Sequence, residues 1–163
     1  MEPRSMTRHK KPLLRRFSEA AAIVMLLPLI LPLALISLAL YWGHKMALYM
    51  LVWTLWLPRG KDILVVYSDS PIWHEYMTNE VLPLLQERAV VLNWSERNRL
   101  PRSSLRVRVF HCFGGSREFN PLVVMFHPFR RARTFRFWLP FKDWKRGYRE
   151  PVERLRQELL SVL

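Results

Sequence analysis

The acidic residues best placed for acid/base chemistry are Asp69 and Glu96. Each follows a short run of branched and aromatic residues, Ile63 to Tyr67 (ILVVY) and Ala89 to Trp94 (AVVLNW), of the kind that makes a buried strand. Between the runs, Ser70 stands as an N-cap before Pro71 at the first helical position, and Trp73, Met77, Val81, Leu84 and Leu85 repeat at helical spacing. Glu75, Asn79, Glu80 and Gln86 take the outward side of this helix toward Arg88, and Pro83 kinks or shortens it. A helix between two strands predicts a parallel βαβ unit, which sets the carboxyl ends of the strands side by side, where ligands of such sheets bind. Asp69 and Glu96 are then the candidate catalytic residues, Arg97 an anchor for an anionic group, and the helix start at Ser70 a phosphate site. Turn and capping chemistry accounts for the same residue types.

The succession Gly114-Gly115-Ser116-Arg117 offers backbone amides that can cradle a phosphate, with Arg117 beside them, although it has neither the spacing nor the Lys of a P-loop. A turn between strands explains it as well. His111 and Cys112 are adjacent, and in a strand they would point to opposite faces and share no proton. His44, His74 and His127 stand alone, and the single cysteine excludes a Cys-x-x-Cys site, so no metal and no cofactor is expected. The same count excludes an intrachain disulfide and fits a reducing compartment.

Charge is the most uneven property of the chain. The net charge is +13, and from Arg97 to Arg149 fourteen Lys and Arg face two acids, Glu118 and Asp143. Such an excess points to an anionic partner. In Phe126 to Tyr148 the basic residues Arg130, Arg131, Arg133, Arg136, Lys142, Lys145 and Arg146 interleave with Phe129, Trp138, Phe141 and Trp144. That mixture suits anionic lipid headgroups, or stacking against nucleic-acid bases. A strand and turn with solvated arginines over core aromatics is the plain structural alternative.

These residues are positioned relative to Ala20 to Trp42, an apolar run without a charge that is long enough to cross a bilayer. Met1 to Glu19 precedes it with Arg4, Arg8, Lys10, Lys11, Arg15 and Arg16, and reads as a disordered cytoplasmic tail. Pro28 and Pro32 predict a kink. Arg15-Arg16 followed by an apolar run broken by Pro28 resembles the re-entrant anchor of monotopic phosphoglycosyl transferases over about twenty residues. The Asp-Glu dyad of that family has no counterpart here, since the acids beside the anchor are Glu19 and Asp62, and the resemblance does not extend to membership. Gly43-His44-Lys45 predicts a break, and Met46 to Pro58 a second short apolar segment. A single crossing would put the following domain outside, whereas a hairpin or a re-entrant insertion would return it to the cytoplasm. The basic tail, the basic domain and the lone thiol favour the cytoplasmic side.

Residues 61–163 form a small basic mixed α/β domain in this reading. After the βαβ unit, Leu105, Val107 and Val109 alternate with Arg106 and Arg108, Asn120 to His127 holds PLVVMF, and Thr134 to Leu139 alternates again. These predict a three-strand antiparallel meander, closed by a C-terminal amphipathic helix from Glu150. The functional expectation is a membrane-anchored binding module, and not an enzyme, whose partners are anionic headgroups or a membrane or cytoplasmic protein. Two alternatives are an enzyme acting on a phosphorylated or lipid-linked substrate, and a nucleic-acid-binding module held at the membrane.

Overall fold

Two runs of branched residues, ILVVY and LVVM, are buried along nearly their whole length, and a strand of that kind must be covered on both faces. They are β1 (Ile63–Tyr67) and β3 (Leu122–Met125), the inner strands of a mixed four-stranded sheet whose outer strands are β2 (Ala89–Asn93) and β4 (Arg133–Arg136), in the order β2-β1-β3-β4. The computed structural model that shows this describes residues 13–85, 87–115 and 119–163. Residues 1–12 of the expected tail, Gln86, Ser116, Arg117 and Glu118 lie outside them, and the rest of that tail, from Leu13, begins a helix. The chain divides into two units, Met1–His44 and Lys45–Leu163.

The first unit contains most of α1 (Leu13–Leu55). Residues 25–42 are exposed at every position, with Leu, Ile and Met on all sides. By length and composition the stretch Met25–Arg59 can cross a membrane or act as a signal sequence. Pro28 and Pro32 lie inside the helix.

In the second unit β1 pairs in parallel with β2 (Ala89–Asn93), Ile63 opposite Ala89 and Tyr67 opposite Asn93. The helix between them, α2, covers 71–85 as two α-helical pieces, Pro71–Tyr76 and Leu82–Leu85, joined by a π-helical turn at Met77–Val81. Pro83 can neither donate a hydrogen bond nor admit the carbonyl four residues back, and the wider turn ahead of it lets the helix continue. Asp62 is the one buried charged residue among those described, and its carboxylate takes Nε of Arg88 at 2.9 Å and Nη2 of the same guanidinium. The backbone amides of Asp62 and Ile63 both donate to the Arg88 carbonyl, and the Asp62 carbonyl accepts from Phe126. One residue thus ties the starts of β1 and β2 to the end of β3.

The expected meander is two strands, not three. β3 runs antiparallel to β1, and β4 (Arg133–Arg136) antiparallel to β3. Residues 105–109 instead begin α3 (Leu105–Phe113), which buries Val107, Val109, Phe110 and Phe113. The alternation stops at Val109, and only the continuation to Phe113 shows the helical period. β4 is also shorter than expected, since Trp138 and Leu139 belong to α4 (Trp138–Trp144). The C-terminal amphipathic helix is present as α5 (Glu150–Leu160), with Val152 and Leu159 buried.

The two faces of the sheet make two cores. Ile63, Val65, Val123, Met125 and Phe135 pack under α2, α4 and α5. Leu64, Val66, Leu92, Leu122 and Val124 pack under α3 and under Leu48, Val52 and Trp56 from the end of α1 and the turn after it. The break expected at Gly43-His44-Lys45 does not occur in α1, and Leu48, Val52 and Trp56 of the expected second apolar segment are buried in the core of the domain. Burial of Leu48, Val52 and Trp56 on one stripe outweighs the cost of about 1 kcal/mol for a helical glycine. After Leu55 a short 3-10 turn, Leu57–Arg59, ends at Gly60, whose φ of 71° carries the chain toward β1.

This packing predicts a contrast on one helix. Leu48→Ala, at a fully buried position, should lower unfolding stability in detergent by about 2–5 kcal/mol. Met50→Ala, at an exposed one, should stay within about 0.5 kcal/mol of wild type. Equal effects in denaturant titrations would show that the end of α1 is not docked on the sheet.

Candidate functional site

At the carboxyl ends of β1 and β2 the chain closes a small polar network. The Asp69 amide donates to Ser95 Oγ at 2.8 Å, Asn93 Nδ2 donates to Asp69 Oδ1 at 2.9 Å, and the Ser95 amide donates to Asn93 Oδ1 at 3.0 Å. His74 Nδ1 lies 3.5 Å from Asp69 Oδ1, enclosed and without a hydrogen bond, while the His74 side chain as a whole is 45 % exposed. The imidazole meets the Tyr67 ring edge-on at 5.5 Å. Burial raises the Tyr67 hydroxyl above its ordinary pKa, with Asp69 and then Glu96 adding to it.

The sequence pair Asp69 and Glu96 is therefore only partly assembled. Asp69 sits in the network, but its close partner is His74, and exposed Glu96 acts on the group through space. Sequence reading left His74 isolated. Its signal was the spacing: with Ser70 as N-cap, Asp69 is the residue before the cap and His74 the fourth of the helix, the two positions that staple a helix start.

The turn after β2, Trp94–Arg99, is 3-10 helical and opens onto a cleft of about 660 Å³. Arg97, Asn98 and Arg102 line it together with His111, and Trp94, Leu100 and Val107 give it an apolar side. Trp94 is held edge-on against Phe110 at 4.7 Å. Among the described residues no carboxylate forms an ion pair with Arg97 or Arg102. Of this group the sequence singled out Arg97 alone. Asn98 and Arg102 carry no local signal in their loop, and a strand at 105–109 gives no reason to bring His111 to them; the helix Leu105–Phe113 does.

The remaining basic candidates divide between two elements. Arg130 and Arg131 are exposed at the tip of the β3–β4 hairpin, after Phe129, which has a φ of 59° and is 91 % exposed. The tip leans on the end of α1, where Tyr49 Oη accepts from the Ala132 amide at 2.8 Å and Trp53 meets Phe129 at 5.4 Å. Arg133 and Arg136 are exposed on β4. On and after α4, Lys142 sits 3.8 Å over Trp138, Lys145 4.9 Å over Trp73, and Arg146 is 3.8 Å from Asp143. Phe141 is core, as the plain structural alternative has it. Arg117, the basic end of the expected Gly114-Gly115 cradle, lies outside the described residues.

A second cleft, of about 390 Å³, lies where α2 meets Trp144 and Arg149. Beside it, the Tyr76 hydroxyl is buried without a partner, and burial, with Glu153 next in effect, pushes its pKa up to about 12. No group of three or more His, Cys, Asp or Glu side chains gathers into a metal site among the described residues. No protein-family model, curated protein or solved structure matches the chain.

Tyr76 gives a pH prediction. The folded chain keeps this proton to about pH 12, whereas an unfolded tyrosine releases it near its ordinary value of 10.0. The associated stability is therefore intact below pH 10.0 and is lost as pH rises through about 12. Tyr76→Phe should flatten this alkaline loss relative to wild type, and at neutral pH should be neutral or stabilising by up to about 1 kcal/mol, because it removes a buried hydroxyl without a partner. A neutral-pH loss above about 1 kcal/mol in thermal unfolding would mean that the hydroxyl is bonded.

Proposed function

We propose that the protein is a membrane-anchored binding module whose α/β domain engages an anionic partner, in the first place the headgroups of anionic lipids. The observation that carries this reading is uncompensated charge. Of the fourteen Lys and Arg between Arg97 and Arg149, Arg146 alone is in an ion pair among the described residues. Positive charge gathered without carboxylate partners repels itself and attracts anions. The anchor is supported by residues 25–42, exposed and apolar all round, about 27 Å of helix against a bilayer core of about 30 Å. A helix apolar on every side has no favourable place in water.

The six basic residues of the tail favour a cytoplasmic N-terminus. The packing of Leu48, Val52 and Trp56 in the core supports a single crossing over a hairpin, which would put the domain on the face opposite the tail, whereas its basic charge and lone thiol favour the cytoplasmic face. A second reading, an enzyme acting on a phosphorylated or lipid-linked substrate, draws on the Asp69–His74 contact, which would orient the imidazole for acid/base work.

The full chain, reconstituted in nanodiscs of neutral lipid alone or with phosphatidylglycerol, tests the proposal by backbone hydrogen exchange. Segments within 97–149 should exchange more slowly with the anionic lipid at low salt, and the difference should fade as salt screens the charge. Identical exchange in both lipids would remove headgroups as the partner. Salt-sensitive protection by single-stranded oligonucleotides would then favour the nucleic-acid alternative.

A further inference from the structure

We infer that the cleft behind the Trp94–Arg99 turn is a binding site for a phosphate or diphosphate group carried on a larger organic molecule. The inference rests on the anion-binding reading and assigns it a place. Arg97 and Arg102 bring two guanidinium forks to one concavity, and no carboxylate among the described residues holds either of them. Guanidinium forks match phosphate oxygens in pairs, which an ammonium group does not. Asn98 borders the same space and can add a donor.

The rest of the lining sets the class of molecule. Trp94 and Leu100 give the cleft an apolar side, and Trp94 is braced from behind by Phe110. An inorganic ion would leave that side unused, whereas a phosphorylated molecule with a ring or hydrocarbon portion covers both. The volume of about 660 Å³ is that of a small-molecule site. The cleft also adjoins the carboxyl end of β2, the edge where open α/β sheets bind ligands.

The hairpin arginines supply the comparison that separates a built site from diffuse charge. Arg130 and Arg131 carry the same charge as Arg97 and Arg102, are equally exposed, and lie outside the cleft.

The test uses the full chain in neutral-lipid nanodiscs, titrated with inorganic pyrophosphate by calorimetry. Saturable binding is expected, weakened about tenfold or more in Arg97→Gln/Arg102→Gln and changed less than about twofold in Arg130→Gln/Arg131→Gln. Arg97→Lys/Arg102→Lys, which keeps the charge but loses the forks, should fall between wild type and the Gln pair. Repeating the titration with phosphatidylglycerol in the disc separates the two sources: competition identifies a headgroup phosphate, unchanged affinity a soluble phosphorylated molecule, and both support the site. Absence of saturable binding, or equal loss in the two Gln pairs, overturns the cleft. Equal loss would leave the general anionic reading standing, whereas lipid-dependent exchange without pyrophosphate binding would uphold that reading and reject this one.

Discussion

One face of the sheet depends on α1. β1 and β3 are buried on both sides, and an inner strand of that kind cannot leave a face to water. α2, α4 and α5 cover one face, but on the other α3 is only nine residues long, and Leu48, Val52 and Trp56 complete the cover. The same helix is therefore held to two patterns. Up to Trp42 it is apolar on every side, and beyond Lys45 it is two-sided, with Leu48 and Val52 buried and Met46, Met50 and Thr54 exposed. The domain cannot be cut away at Lys61 without stripping a core face.

The charge distribution follows from the same architecture. With the interior filled by aliphatic and aromatic side chains, and Asp62–Arg88 the one ion pair with a buried member among the described residues, the arginines beyond β2 and on the hairpin have only the surface to occupy. Around α4, aromatic rings take part of that charge: Lys142, Lys145 and Arg149 lie over Trp138, Trp73 and Trp144. At the cleft beside Trp94 and at the hairpin tip no carboxylate among the described residues takes it. These are the places where an external anion gains most.

Much of this was legible in the residues. ILVVY and AVVLNW with a proline-started helix between them specify a parallel pair, and that its carboxyl ends lie side by side follows from topology alone, although Asp69 meets Ser95 there and not the expected Glu96. Three features were not legible, each because a local pattern was too short. Leu105, Val107 and Val109 fit a strand until Phe110 and Phe113 extend the pattern into a helix. Gly43-His44-Lys45 has the composition of a break, and only the tertiary burial of Leu48, Val52 and Trp56 carries the helix through it. Arg97, Arg102 and His111 share a cleft only once α3 is a helix, so the site could not be assembled while that segment was read as a strand.

The most direct test of the account is the environment along α1. Single spin labels on a Cys112→Ser background, in the full chain reconstituted in lipid, report oxygen access where they face hydrocarbon and access to a water-soluble nickel reagent where they face water. Labels at Leu26, Ile30, Leu35 and Leu38 should report lipid, whereas labels at Met46, Met50 and Thr54 should report water and a label at Val52 should be shielded from both. Lipid access at Met46, Met50 and Thr54 matching that at Leu26 to Leu38 would contradict the account, because the end of α1 would then belong to the membrane and not to the domain.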